Sequence, residues 1–190
     1  MNIKKSLIFI MVLMLTMSGC TGSSTAKKTV VEDFFDLIIQ GNYYEAEKLL
    51  VNDDDFETLG QVNEDIQKKE ITKLYFSKFS YEIKKVDKSL LLVEITAIDE
   101  TKLLEKILDD ITLAGFSGNI LTGFQDATKD TFKRITDGIK NDSVPIQRKT
   151  IVVSLKEVDG NYRIDLDEDF KRGFFEPILK VLDINEMLMR

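Results

Sequence analysis

Four carboxylates near the C-terminus, Asp165, Asp167, Asp169 and Glu176, fall at places 1, 3, 5 and 12 of a calcium-binding loop, where oxygen ligands can wrap a hard cation. Phe170 takes the sixth place, which in such loops needs glycine for the sharp turn, and Arg172 takes the eighth, normally apolar. The competing reading makes these acids the capping group of the helix that follows, at its positive end. Asp53-Asp54-Asp55 with Glu57 is a second oxygen-rich cluster, with the same choice between a cation and a solvated loop. Glu32 with Asp36, and Glu105 with Asp109, stand four apart on one helix face. Such pairs could share acid and base work, but ordinary solvated helix surface is the favoured explanation and neither pair is taken as a site. The chain has no histidine, so the commonest proton shuttle and metal ligand at neutral pH is missing. No cofactor is expected.

The single cysteine, Cys20, carries the most specific chemistry. Lys4 and Lys5 precede an apolar run from Leu7 to Met17, and Ser18-Gly19 precede the cysteine. An eleven-residue helix rises roughly 16 Å, about half of a ~30 Å hydrocarbon core, so the run is short for a membrane span. A basic start, a short apolar middle and small residues before a cut are the marks of an export signal. Met17-Ser18-Gly19-Cys20 resembles the bacterial lipoprotein box, with Met17 where that family usually has leucine. The resemblance implies that residues 1–19 are removed and that Cys20 becomes a diacylglyceryl-modified N-terminus. Two long acyl chains suffice for stable anchoring, at ~0.8 kcal/mol per buried methylene. The expected address is the extracytoplasmic side of the cell membrane.

Residues 20–28 have little to bury and read as a flexible tether leading into one domain over residues 29–190. A lone cysteine allows no internal disulfide, so the domain must rely on its core. The whole chain carries a net charge of −7, which becomes −9 once Lys4 and Lys5 leave with the signal. An acidic body is a poor match for nucleic acid, whose phosphates demand clustered Lys and Arg, and for adsorption on anionic lipid.

The elements that must position these residues follow from periodicity. Val30, Val31, Phe34, Phe35, Ile38 and Ile39 stripe one helix, closed by Gly41-Asn42, and Tyr43, Ala46, Leu49 and Leu50 stripe a second. A third helical stretch runs through Val62, Ile66 and Leu74-Tyr75. Phe79, Tyr81 and Ile83 then alternate with polar residues, and a turn at Asp87-Lys88-Ser89 leads into the apolar run Leu90 to Ile98, a hairpin. A second hairpin joins Ile151, Val153 and Leu155 to Tyr162, Ile164 and Leu166 through Asp159-Gly160. Between them, residues 101–141 carry two amphipathic helices, with Phe116 at the tip of the pair as a candidate interaction residue. A last helix carries Phe174, Phe175, Ile178, Leu179 and Leu182. The fold class is α+β: N-terminal helices packed on a curved antiparallel sheet, with a helical-hairpin insertion between two β-hairpins.

Val31-Glu32-Asp33-Phe34-Phe35-Asp36-Leu37 followed by Gly41-Asn42-Tyr43-Tyr44-Glu45-Ala46 resembles the opening of the nuclear transport factor two-like superfamily, the curved-sheet cone shared with ketosteroid isomerase. Asp159 to Asp165 resembles the last strands of its small lipoprotein members. The resemblance implies a cavity between sheet and helices, used for small ligands or isomerisation in some members and for protein contacts in others. Three functions follow as expectations: a non-enzymatic module binding an envelope protein or a small ligand, a cone-pocket isomerase or hydrolase using carboxylates, and a structural or inhibitory module. A desolvated carboxylate in an open cavity would favour the enzyme, and a cavity filled by Phe and Leu would count against it.

Overall fold

The computed structural model describes residues 19–51, 66–116, 131–141 and 143–189, with side chains described in these stretches except at 19–22, 114–116 and 184–189. Residues 1–18, and with them most of the expected signal, lie outside the described residues, as do Asp53-Asp54-Asp55 and Glu57.

Helix α1 (Gly19–Gln40) ends where its sequence demands. Gly41 takes the left-handed φ of +77° that a side chain would resist, Gly41 N–H donates to Ile38 O (3.0 Å) and Asn42 N–H to Leu37 O (2.8 Å). These two bonds satisfy the last carbonyls in the Schellman pattern. α2 (Tyr43–Glu47) and α3 (Ile66–Ser77) follow, and then the sheet begins. Its strands β1 (Ser80–Asp87), β2 (Leu90–Ile98), β3 (Ile146–Val158) and β4 (Asn161–Asp165) form an antiparallel meander in chain order. Asp159 (φ 52°) and Gly160 (φ 78°) both have the positive φ of a type I′ turn, whose twist suits the strands it joins. β3 begins five residues earlier than the Ile151 expected from sequence, because Ile146 to Thr150 pair with Ile98 to Glu94.

The edges are covered in different ways. β4 is flanked by residues 49–51, since Ile164 N–H donates to Leu49 O and Val51 N–H to Ile164 O, both at 2.8 Å. β1 carries an irregularity between Ile83 and Lys85 and exposed Lys84 and Lys85, features that discourage pairing with another chain.

The insertion lies between the two hairpins, as α4 (Glu100–Phe116) and α5 (Thr131–Lys140). After β4 the chain forms a short helical turn, α6 (Glu168–Phe170), a π turn (Lys171–Phe175) and α7 (Glu176–Met189). Helices pack on one sheet face, the face of Leu91, Val93, Ile95, Ile151, Val153, Leu155 and Ile164, all buried. The opposite face is polar and ion-paired around half-exposed Leu90 and Leu92. This is the α+β arrangement expected from the sequence.

Residues 20–28 differ from their expectation as a flexible tether. They are helical, the first turns of α1. The buried stripe from Val31 to Ile38 nucleates the helix, and each further residue then adds a hydrogen bond at little cost. Tyr162, far along the chain, holds the extension: its hydroxyl shares a 3.0 Å hydrogen bond with Ser23 Oγ, and Lys27 Nζ lies 5.0 Å from its ring centre.

Candidate functional site

A catalytic pocket in a helix-covered sheet of this kind would lie between the inner sheet face and the helices, and here that space is filled. Phe174 sits at the centre of an aromatic cluster, with ring centres 5.2 Å from Phe35, 5.5 Å from Phe79, 5.5 Å from Phe170 and 4.8 Å from Phe175. Phe34 and Phe76 complete the shell at 6.0 and 5.9 Å. Such separations suit edge-to-face and offset contacts, each adding ~1 kcal/mol beyond area burial. Among the described residues, the buried polar side chains are Thr72, Thr131 and Thr136, none of them a carboxylate.

At the rim of this core, Lys149 stands on the inner face opposite Ile95, in line with Ile151 and Val153. Beside it, Tyr75, Phe79, Phe174 and Pro177 close the space too tightly for a water-sized molecule. Burial lowers the Lys149 pKa, and the nearby charge of Glu100 pulls the other way. Burial raises the Tyr75 pKa, with Glu100 and Asp99 adding to it. Gln147 Nε2 donates to Glu100 at 2.5 Å, so that carboxylate is already engaged. Period-two alternation back from Ile151 through Lys149 was the signal that could have placed this lysine inward, and the sequence reading missed it.

The helical insertion carries a different kind of recess. α4 and α5 border a groove of about 370 Å³ whose charged lining is Lys106, Asp110, Lys133, Arg134 and Asp137. Lys133 is bonded to Asp137 at 2.6 Å and Lys106 donates to Ser143 O at 3.4 Å. Arg134 Nε is buried without a hydrogen-bond partner. A buried guanidinium N–H left unsatisfied is uncommon. An acidic cleft of about 490 Å³ between α1 and α2 includes Asp33, Asp36 and Glu45. There Asp36 accepts the Tyr81 hydroxyl at 2.8 Å and Glu45 pairs with Lys48 at 2.7 Å.

The four calcium candidates are not brought together. Asp165 is paired with Lys156 at 2.8 Å on the outer sheet face. Asp167 is the N-cap of α6, accepting Phe170 N–H at 2.8 Å and the Ser154 hydroxyl at 2.6 Å. Asp169 lies 3.9 Å from Arg172, and Glu176 3.9 Å from Lys180. Among the described residues no group of three or more potential ligands gathers anywhere. The reason is Phe170: instead of the glycine turn of a calcium loop, it is a core residue within the helical turn that Asp167 caps. Of the helix-face pairs, Glu32 is ion-paired with Lys28 and Asp36 is bonded to Tyr81. Phe116 is the last residue of α4, and its side chain lies outside the described residues. Cys20 stands in the first turn of α1. No described helix is long and apolar enough to cross a membrane.

No family model matches the chain, and no curated protein does. Among solved structures, it is similar to the "putative lipoprotein (ycdA)" of Bacillus subtilis, with a TM-score of 0.40 and 20% identity over 79% of this chain and 46% of that one. The chain thus spans less than half the length of that protein.

Proposed function

We propose that this chain is an extracytoplasmic lipoprotein, anchored to the cell membrane through Cys20, whose folded part is a non-enzymatic binding module. The observation that carries the reading is the interior filled by Phe34, Phe35, Phe76, Phe170 and Phe174 where a cone-pocket enzyme would hold substrate. Function then belongs on the outside. The groove between α4 and α5 is its best-suited place, because Lys106, Lys133 and Arg134 line it. A carboxylate presented by a partner protein in the envelope would pair with the Lys106 and Arg134 side chains at this groove, which favours an acidic segment.

Nuclear transport factor two-like ancestry is part of the same proposal, supported by α1, the Gly41-Asn42 turn and the closing hairpin. It implies here the protein-contact use of that superfamily rather than its isomerase use. The reading is tested by cross-linking partner capture with the lipidated protein and with a Lys106→Glu, Arg134→Glu variant. A partner held by the parent and lost by a variant that stays folded and membrane-bound is the expected result. Identical capture by both would refute the groove, and turnover of a small substrate requiring Lys149 or Tyr75 would refute the non-enzymatic reading.

A further inference from the structure

We infer that the end of the sheet bearing both hairpin turns lies against the anionic bilayer surface, held there by α1 as a rigid stem. The inference rests on the lipid-anchor reading and deepens it from attachment to orientation. α1 is continuous from Gly19 to Gln40, so Cys20 belongs to the same helix that buries Val31, Phe34, Phe35 and Ile38. Three residues, roughly 4.5 Å of helical rise, separate Cys20 from Ser23. Ser23 is bonded to Tyr162, which follows Gly160 by two residues, and Lys27 lies over the same ring.

The strand register brings the other turn to the same end. Leu90 is opposite Ser154, and Leu155 N–H donates to Ser89 O at 2.7 Å. A flexible eight-residue tether would let the domain wander by roughly 15 Å in any direction. A clamped helix removes most of that freedom and leaves both turns facing the acyl chains.

Charge agrees with this placement. From the level of Ser154 outward, the strands and turns carry Lys88, Lys156 and Arg163 against Asp87, Glu157, Asp159 and Asp165, and α1 adds Lys27 and Lys28. With Glu32 paired to Lys28 and Asp167 bonded to Ser154, that end is close to neutral in a chain that is strongly acidic overall. An anionic surface repels the remaining body within a Debye length of ~8 Å and tolerates this end. The insertion leaves and rejoins the sheet at the opposite end, where Ile98 pairs with Ile146. Nine residues of β2 span roughly 30 Å, so the α4–α5 insertion is rooted far from the lipid.

The test uses the full lipidated protein in vesicles of phosphatidylglycerol and phosphatidylcholine that contain a headgroup quencher. A fluorophore is placed on one added thiol, Ser89→Cys or Asn141→Cys, Cys20 being blocked by its thioether. Several-fold stronger quenching at position 89 than at 141 is expected, and the difference should shrink when Tyr162→Ala loosens the clamp. Equal quenching at both positions in protein that floats with the vesicles would overturn the orientation and leave the anchor standing. Protein that does not float would overturn the anchor and the orientation with it.

Discussion

Gly173 lies in the π turn with the place of an added Cβ 2.7 Å from Ile151 Cγ2, a separation that side chains do not tolerate. Gly173→Ala should lower stability by about 1–3 kcal/mol in denaturant titration, the usual range for overpacking. Combining it with Ile151→Ala should cost less than the two single changes added together, because the smaller side chain makes room. Asp167 offers a contrasting residue. Asp167→Ala removes the cap on Phe170 N–H and the bond to Ser154, and should cost about 1 kcal/mol by thermal melting. If the acids held calcium instead, the melting temperature of the parent protein would rise on adding calcium. Tyr43 sets a pH dependence: burial pushes its phenol from 10.0 up to about 12. Between those values the folded state holds a proton that the unfolded chain has lost, so stability present below pH 10 is lost as the pH rises toward 12. Tyr43→Phe should make this alkaline decline shallower in unfolding curves measured across that window, with buried Tyr75 still contributing to it.

At the scale of elements, what could be read from the sequence was what depends on neighbours. The Gly41 helix end, the Asp159-Gly160 turn and the apolar stripes each rest on a local rule, and the fold has all three. Phe170 in the sixth place of the apparent calcium loop also told locally against a metal. What escaped depends on distant partners. The helical course of residues 20–28 is held by Tyr162, 139 positions from Ser23, and the first residues of β3 are polar enough to hide their pairing with β2. The π turn, which sets Gly173 against Ile151 and Phe174 among six other rings, left no periodic trace. These contacts join α1, α3 and the C-terminal helices into one unit. Phe174→Ala should accordingly cost about 3–5 kcal/mol in equilibrium unfolding, and exposed Leu113→Ala close to none.

For the molecule as a whole, helices cover one face of the sheet and the described interior between them is packed with aromatic rings, so the proposed binding role rests on the surface. The candidate site was legible only as an amphipathic helix pair with a place in the chain. Its mixed-charge groove and the buried Arg134 Nε arise from how α4 and α5 pack, which spacing alone does not give. All of this serves a function at the envelope only if the domain is held there. Mass spectrometry of the mature N-terminus, paired with membrane flotation of parent and Cys20→Ser proteins, decides that directly. A diacylglyceryl-modified Cys20 in the parent, and release of Cys20→Ser into the soluble fraction, is the predicted outcome. An unmodified N-terminus, or Cys20→Ser floating with the lipid as completely as the parent, would contradict it.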